Sequence, residues 1–326
     1  MTIDVVIIGA GLSGLAIART LRGQTGLTVM TLEKSRGPGG RLASKRIQEM
    51  RADIGAQFMT ARDPRFQAVI DDALSVNAVA VWSPVMGKLT AHGLVHSPDQ
   101  HIRYVGNPYM NAFARFLAED IPIDTQQRVQ SVTQVDTGWC ITTQDTQLIA
   151  RQVVLTAPVE QTRELLPETA LHDMLYGFQS LPTWTAVVES TQPLLTDDDR
   201  VINAAFGDGQ WLDFLSSEQS KPNRTSAFWV CHAAPAFSQT HLEADAAEVA
   251  RQLCEMLKQH LKFQATPILV HRWRFARPAD AARVAQKGAV QLAPGLWACS
   301  DGYAGGRCEG AYLSGLEVAT RILEDL

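Results

Sequence analysis

The apolar positions in the first 33 residues follow two periods in succession. Residues 3–8 form a short run rich in β-branched side chains, and residues 15–21 then carry apolar side chains at helical spacing. A second β-rich run follows at residues 27–33. A strand, a helix and a strand in this order form a βαβ unit, whose parallel strands normally lie in the centre of a doubly wound sheet. The pattern therefore predicts an α/β fold.

The middle of the chain has a different pattern. Short runs rich in β-branched and aromatic residues, separated by turn residues, predict a mostly antiparallel sheet. These runs are residues 82–89, 183–190, 201–206, 211–216 and 225–233. Residues 244–261 then have the apolar spacing of an amphipathic helix.

The remaining predicted elements lie on either side of this block. They are a strand pair at 128–135 and 139–143, strands at 152–156 and 296–299, and a helix at 310–323. We therefore expect a nucleotide-binding domain that is discontinuous in sequence, with a sheet and helix domain inserted into it. The expected boundaries are 1–75, 104–170 and 285–326 for the first domain, and 76–103 and 171–284 for the second.

Length and composition limit the number of domains and the kinds of partner and site that we expect. The length of 326 residues allows two domains at about 150 residues each. The net charge of −5, with no basic block interleaved with aromatic residues, argues against a nucleic acid partner. Five cysteines without a C-x-x-C pair predict neither a disulfide framework nor a zinc site, so we expect a cytoplasmic protein. No run approaches the roughly 18 apolar residues that a membrane span requires.

A glycine motif stands between the first strand and the first helix. Gly9, Gly11 and Gly14 fit the pattern G-x-G-x-x-G, in which the glycines permit a tight turn, close approach to a pyrophosphate and close helix packing. The N-terminus of the helix offers free N–H groups to the anion. Glu33 ends the second strand, where an acidic side chain accepts hydrogen bonds from the adenosine ribose. The motif predicts a bound dinucleotide.

Residues 35–41 contain a second glycine motif directly after Glu33. It resembles the Gly-Gly-Arg motif of the FAD-dependent amine oxidase superfamily, carried here by Gly39, Gly40 and Arg41. Two consecutive glycines allow backbone contact, and the guanidinium of Arg41 can neutralise phosphate charge. The resemblance favours FAD as the cofactor.

The C-terminal residues resemble the closing flavin motif of the same superfamily. Residues 297–315 combine a strand, Asp301 and a glycine-rich helix start. The resemblance implies that Asp301 accepts a hydrogen bond from the ribityl chain. The positive end of the helix at 310–323 would stabilise the negative charge that develops on the reduced flavin.

The closest resemblance is to the renalase-like branch of this superfamily. It is carried by residues 39–41, 55–57, 230–233 and 272–274, and it implies a fold of the p-hydroxybenzoate hydroxylase and amine oxidase type. Two departures from typical amine oxidases are the absence of lysine from residues 182–190 and Arg307 in the place of a tyrosine. A cation beside the flavin would repel a protonated amine, so a substrate that carries phosphate is favoured.

This resemblance implies an oxidase of isomeric dihydronicotinamide dinucleotides, 2- or 6-dihydro-NAD(P). The flavin would take the hydride, NAD(P)+ would be released, and molecular oxygen would be reduced to hydrogen peroxide, in repair of a damaged metabolite. Two alternatives stay open: an FAD-dependent amine oxidase or desaturase, and a non-enzymatic dinucleotide-binding redox sensor.

The resemblance also implies site residues. His232 would orient the nicotinamide, and Gln57 and Trp184 would complete the catalytic set, although a lone histidine or tryptophan is as often structural. Predicted substrate contacts are Phe58, Arg62, Trp273, Arg274 and Arg277. Predicted FAD contacts are Gly9, Gly11, Leu12, Ser13, Gly14, Glu33, Lys34, Gly40, Arg41, Gln57, Phe58, Val129, Ala157, Asp301, Gly302, Arg307, Gly310 and Ala311. Whether the thiol of Cys308 is reactive depends on its pKa.

Overall fold

A computed structural model describes residues 2–24, 26–167, 169–280 and 288–325. Within these ranges, eight strands form the first sheet, whose central strands are parallel. In sheet order its main strands are Val129–Val135, Gly138–Thr143, Gln147–Leu155, Ile3–Ile8, Val29–Glu33 and Ile123–Thr125. Leu296–Cys299 also pairs in parallel with Gln147–Leu155, and Ala289–Ala293 pairs with it in turn. The predicted α/β class is confirmed.

The second sheet contains seven of the described strands and is mostly antiparallel, as predicted. In sheet order they are Thr266–Pro278, Ser180–Glu189, Phe228–Ala233, Leu212–Ser217, Ala204–Phe206, Met86–Thr90 and Gly93–His96. Short strand pairs accompany the two sheets: Ser44–Ile47 with Met50–Asp53, Val79–Trp82 with Arg103–Gly106, and Leu194–Leu195 with Val201–Ile202.

The helices cover these sheets. The described ones are Leu12–Arg22, Pro64–Ser75, Asn111–Leu117, Val159–Leu165, Thr169–Asp173, Pro235–Thr240, Ala246–Leu261 and Cys308–Glu324, with 3-10 turns at Gly40–Leu42, Glu218–Ser220 and Asp301–Tyr303. The first and last of these helices pack together, because Gly315 lies against the backbone of Ser13 and a Cβ added there would be 2.3 Å from the Ser13 carbonyl oxygen. The two ends of the chain therefore meet beside the glycine motif.

Two predicted elements differ from the structure. The single strand expected at 82–89 is wrong: Val79–Trp82 and Met86–Thr90 belong to different sheets, because Pro84 between them cannot donate to a strand ladder. The strand Thr266–Pro278 was not predicted, since Pro267 and the alternating cations Arg272 and Arg274 mask its periodicity.

The two sheets draw on different parts of the chain. The first uses residues 3–33, 123–155 and 289–299, and the second uses residues 86–96 and 180–278. The expected domain boundaries stay a prediction, and the one at 284/285 lies outside the described residues. Among the described residues, no helix is long and apolar enough to cross a membrane.

Candidate active site

The first glycine motif forms a turn at the carboxyl end of the strand Ile3–Ile8. Gly9 has a positive φ of 108°, and a Cβ on Gly14 would lie 1.9 Å from the Gly9 carbonyl oxygen, so both positions require glycine. A Cβ on Gly11 would meet nothing within 4 Å. Gly11 is also the N-cap of the helix Leu12–Arg22, which has no side-chain cap. The turn therefore presents open space in front of an uncapped helix N-terminus, which suits a pyrophosphate.

Glu33 is buried beside this turn. One carboxylate oxygen accepts a hydrogen bond from Ala10 N (2.8 Å), and the other accepts one from Ser35 N (2.7 Å). Each carboxylate oxygen can accept more than one hydrogen bond, so both retain capacity for ribose hydroxyls. The neighbouring Lys34 donates instead to Gln161 Oε1 (3.1 Å), and burial lowers the pKa of its ammonium group.

The second glycine motif lies against the first. Gly39 N donates to Ala10 O (2.8 Å), and Gly40, with a φ of 51°, approaches Gly11 so closely that a Cβ would be 3.6 Å from the Gly11 Cα. The arginine that follows points to the C-terminal motif. Arg41 forms a bidentate ion pair with Asp301, and its Nη1 also donates to the Ala276 carbonyl (3.0 Å).

This ion pair brings the predicted flavin motifs together but uses both charges internally. Arg41 was expected to face phosphate, and Asp301 was expected to face the ribityl chain. In the structure the two groups neutralise each other, with side-chain exposures of 30% and 9%. We infer that this ion pair fixes the second glycine motif and the C-terminal motif relative to each other.

The C-terminal helix begins without a side-chain cap. Its N-cap, Arg307, has an exposed side chain, and two positive-φ glycines, Gly305 and Gly306, precede it. A Cβ on Gly310 would lie 2.0 Å from the Ala304 carbonyl oxygen. Gly302 lies in the 3-10 turn before the helix, where its N–H donates to the Ser300 hydroxyl (3.0 Å). The free N–H groups of the first turn are therefore available to a ligand.

The other predicted FAD residues lie around the same edge of the first sheet. Ser13 donates its hydroxyl to the Ala311 carbonyl (2.7 Å), so only its backbone is left for phosphate. Ala157 follows the strand parallel to Ile3–Ile8, and Val129 is buried at the start of its own strand. Two uncapped helix N-termini, open space at Gly11 and a buried acid at Glu33 fit FAD.

A row of side chains on the second sheet faces the segment 53–58. Thr185 is paired directly with His271 on one side and with His232 on the other, and His232 is paired with Phe214. Residues directly opposite in an antiparallel ladder share one face of the sheet. The Thr185 hydroxyl is buried and has no hydrogen-bond partner among the described residues. The row therefore offers polar atoms beside His232.

Both histidines of this row are neutral at ordinary pH. Burial lowers the pKa of His232 to about 4, and the nearby cations Lys221 and Arg277 lower it further, whereas Asp213 opposes the shift. Burial also lowers the pKa of His271 to about 4, with a smaller contribution from Lys45. A neutral imidazole can orient a substrate through one donor and one acceptor.

Gln57 uses all of its hydrogen-bonding capacity within the protein. Its Nε2 donates to Asp53 O (2.6 Å) and Gly55 O (3.0 Å), and its Oε1 accepts from Ser216 Oγ (2.9 Å) and Lys221 Nζ (2.9 Å). Gln57 Nε2 also lies 3.5 Å from His232 Nε2. Both amide hydrogens of Gln57 are already donated elsewhere, so none is left for the imidazole. This geometry favours a positioning role for Gln57 over the predicted catalytic one.

The partner of Gln57 belongs to a buried charge cluster that sequence reasoning missed. The cluster consists of Asp53, Glu218, Lys221 and Arg224, whose side chains are all 0% exposed. Lys221 Nζ lies 2.6 Å from Glu218 Oε1, and Arg224 lies 2.7 Å from Asp53 and 2.5 Å from Glu218. Burial lowers the pKa of Lys221, whereas the negative charge of Glu218 raises it. Residues 182–190 contain no lysine, yet the fold brings one to the candidate site from elsewhere.

Two predicted site residues lie on the wrong face of the second sheet. Trp184 alternates with Thr185 and packs in the core under the helix Ala246–Leu261, where its Nε1 donates to the His241 carbonyl (2.9 Å). Arg274 pairs with Glu243 at 2.6 Å on that same face. The predictions that these two residues contact substrate beside His232 are therefore corrected by the geometry.

The other predicted substrate contacts are spread around the row. Trp273 is half-buried beside His271 and donates its Nε1 to Ile54 O (2.9 Å). Phe58 packs against Phe214, with ring centroids 5.5 Å apart. Arg277 forms an ion pair with Asp213.

Two further residues occupy the start of the C-terminal helix and the segment beside it. Arg62 is exposed, and its backbone N–H donates to Glu309 Oε1 (2.6 Å). Burial raises the pKa of the Cys308 thiol to about 12, and Asp301 raises it further. Cys308 therefore stays a protonated thiol at neutral pH and offers no nucleophilic thiolate.

Comparison with known proteins agrees with this architecture. Residues 99–323 match the family model for flavin containing amine oxidoreductases, and residues 7–73 match an NAD(P)-binding Rossmann-like domain. An engineered triple variant of putrescine oxidase has a similar structure, with a TM-score of 0.76, 14% identity and coverage of 100% of this chain and 99% of that one. A CLA-producing fatty acid isomerase from P. acnes has a TM-score of 0.75, 11% identity and 98% coverage of each chain.

One curated relative adds a local sequence match. Protein FLOWERING LOCUS D from Arabidopsis thaliana is 45% identical over 61 residues, which span 18% of this chain and 8% of that protein. The structural neighbours, at low identity, share the fold, whereas the family model covers more than half of the chain. The chain therefore belongs to the flavin-containing amine oxidoreductase family, and it is a flavin-dependent oxidoreductase whose cofactor is FAD.

Proposed function

We propose that this chain is a renalase-like oxidase of isomeric dihydronicotinamide dinucleotides, 2- or 6-dihydro-NAD(P). The products would be NAD(P)+ and hydrogen peroxide, with molecular oxygen as the final electron acceptor. The reaction would remove a misreduced form of the nicotinamide cofactor.

The polar row formed by Thr185, His232 and His271 carries this proposal, and the neutral state of its imidazoles supports it. Oxidation of an amine requires loss of a proton from nitrogen as well as a hydride, whereas an isomeric dihydropyridine becomes aromatic when it loses the hydride alone. Such a substrate needs orientation more than acid or base help. His232, with a pKa of about 4, and the Thr185 hydroxyl, which has no hydrogen-bond partner among the described residues, offer neutral hydrogen-bonding groups for the nicotinamide carboxamide.

The predicted FAD residues would hold the cofactor along one edge of the first sheet. Gly9, Gly11 and the helix that follows would bind the pyrophosphate, and Glu33 would bind the adenosine ribose. The start of the C-terminal helix would face the flavin end. Bound FAD supplies the hydride acceptor of the reaction.

Two arginines near the row would favour an anionic substrate once Arg277 leaves its ion pair with Asp213. Arg277 contributes to the potential at His232, and Arg307 stands exposed at the start of the C-terminal helix. Cations in these places would repel a protonated amine and attract phosphate. The opposing charge of Asp213 is the observation that favours the second candidate, an FAD-dependent amine oxidase or desaturase.

Anaerobic mixing tests the proposal. The purified holoenzyme is mixed without oxygen with 2-, 4- and 6-dihydro-NAD and, separately, with a panel of primary and polyamines, while flavin absorbance is followed. We expect rapid bleaching by the 2- or 6-isomer, release of NAD+ identified by mass spectrometry, and peroxide once air is admitted.

Each alternative has its own signature in this experiment. Bleaching by amines alone would replace the proposal with an amine oxidase. Binding of FAD without reduction by any donor would support a redox sensor. Ordinary 4-dihydro-NAD as the best donor would also contradict the proposal, because that isomer is the undamaged cofactor.

A further inference from the structure

An ion pair joins two strands of the second sheet that are not neighbours. Arg277 Nη2 lies 2.9 Å from Asp213 Oδ1, and the two side chains are 35% and 34% exposed. Their strands, Thr266–Pro278 and Leu212–Ser217, are separated by two others, which at the usual spacing places them about 14 Å apart. Direct contact therefore requires both side chains to lean over the ends of the intervening strands.

His232 lies at the end of one of those strands. It is the penultimate residue of Phe228–Ala233, and it is paired with Phe214, the residue after Asp213. The opposite effects of Asp213 and Arg277 on the imidazole agree with this placement. The ion pair therefore spans the end of the polar row.

The same ion pair also adjoins the flavin motifs. The carbonyl of Ala276, directly before Arg277, accepts the hydrogen bond from Arg41, and Arg41 in turn pairs with Asp301. A ligand that reached from the flavin side to His232 would pass beside Arg277. The partner of that guanidinium in the free protein is the carboxylate of Asp213.

We propose that Asp213 is a specificity-determining residue, which competes with a phosphate group of the substrate for Arg277 and yields it when the substrate binds. This inference rests on the proposed function. A half-exposed ion pair is weak enough to exchange partners. Arg277 contacts the carboxylate through one nitrogen at 2.9 Å. A guanidinium can bind phosphate through two parallel N–H groups, so the exchange would add hydrogen bonds to Arg277.

The exchange makes a prediction about substrates with and without phosphate. Because Asp213 competes with phosphate for Arg277, removing its charge should favour the anionic substrate only. We compare the parent holoenzyme with Asp213→Asn, Arg277→Gln and the double variant. Each is assayed with an isomeric dihydro-NAD and with the matching dihydronicotinamide riboside, which has no phosphate.

Asp213→Asn should lower the KM for the dinucleotide about threefold and leave that for the riboside unchanged. Arg277→Gln should raise the dinucleotide KM about tenfold. The double variant should not return to the parent KM, because without Arg277 the Asp213 carboxylate has no guanidinium for which to compete with phosphate. Added salt should reduce these differences. Glu243→Gln, which breaks a similar ion pair to Arg274 on the opposite face, is the control and should change neither KM.

The outcomes separate this inference from the proposed function. Equal effects of Asp213→Asn on both substrates, or a higher KM for the dinucleotide, would overturn the role of Asp213. Amine oxidation that is lost in Asp213→Asn would also overturn it, since the carboxylate would then bind a cation.

Binding of NAD+, followed through the flavin spectrum, provides a readout independent of turnover. If NAD+ binds about threefold more tightly to Asp213→Asn and more weakly to Arg277→Gln, the inference stands even when no dihydropyridine reduces the flavin. If isomers reduce the flavin but neither substitution changes KM or NAD+ affinity, the function stands and the inference fails.

Discussion

The ammonium of Lys221 donates a hydrogen bond of 2.9 Å to the Oε1 atom of Gln57. This bond connects the buried charge cluster to the segment 53–58, which contains predicted contacts to both the flavin and the substrate. Gln57 has its remaining hydrogen bonds to Asp53, Gly55 and Ser216, so its amide can adopt only one orientation without losing partners. The cluster therefore fixes the position of Gln57 beside His232.

Removing the lysine should destabilise the protein strongly. Lys221→Met leaves the carboxylate of Glu218 and the amide oxygen of Gln57 without this donor in a fully buried place. Loss of one partner from a buried ion pair costs about 3–5 kcal/mol. Urea denaturation of the holoenzyme measures the change in the free energy of unfolding.

The matched control is an exposed pair with the same spacing. Arg46 and Glu49 also lie three residues apart, but their side chains are 64% and 91% exposed. Arg46→Met should cost less than about 1 kcal/mol. Equal losses in the two variants would mean that burial of the cluster does not govern its contribution.

The open space at Gly11 predicts a separation of folding from FAD binding. Gly11→Ala adds a methyl group that meets no described residue within 4 Å apart from its chain neighbours, so the apoprotein should keep its stability to within about 1 kcal/mol. The methyl group would occupy space expected to receive the pyrophosphate, and overpacking of this kind should weaken FAD binding about tenfold or more. Fluorescence titration of apoprotein with FAD measures the affinity.

Gly23→Ala is the corresponding control. Gly23 ends the same helix, and a Cβ there would also meet nothing within 4 Å. Its FAD affinity should equal that of the parent. An unchanged affinity in Gly11→Ala would place the pyrophosphate elsewhere.

Local sequence was sufficient for the nucleotide-binding part of the fold. Gly9, Gly11 and Gly14 act within one turn and one helix, so their spacing alone predicts the motif. The family comparison confirms the resulting choice of an FAD-dependent enzyme. The pairing of Arg41 with Asp301 was not predictable, because it joins residues 260 positions apart.

The second sheet was harder to predict. Which face Trp184 occupies depends on the register of its strand, and a shift of one residue exchanges the two faces. The buried charge cluster was missed because Asp53 lies 165 residues from Glu218, and charged residues in sequence usually indicate a solvated surface. Nothing in the sequence next to Lys221 and Arg224 indicates that their side chains are buried.

The histidine pair predicts a loss of stability in mild acid. His232 and His271 have pKa values of about 4 in the folded protein, below their usual 6.5, so the unfolded chain binds protons first as the pH falls. Their contribution to stability is therefore complete above about pH 6.5 and is lost as the pH falls towards 4.

Denaturant midpoints at pH 7, 6 and 5 measure this effect. The double variant His232→Gln and His271→Gln should have a smaller drop in midpoint over this range than the parent. His92→Gln, at an exposed turn residue, is the control for replacing a histidine and should keep the drop of the parent. An unchanged drop in the double variant would mean that the two imidazoles have the same pKa in the folded protein as in the unfolded chain.

Trp273 and Trp184 lie on opposite faces of the second sheet, and replacing each by phenylalanine should have a different effect. Trp273→Phe removes the hydrogen bond to Ile54 O that ties the sheet to the segment 53–58, so flavin reduction by the preferred donor should slow about tenfold. Trp184→Phe removes a hydrogen bond to His241 O on the other face, which should cost about 1 kcal/mol of stability and leave the reduction rate unchanged. Stopped-flow reduction under anaerobic conditions and urea denaturation give the two measurements. If Trp184→Phe slowed reduction while Trp273→Phe did not, the reacting face of the sheet would be the one that the helix Ala246–Leu261 covers, and the row around His232 would lose its role.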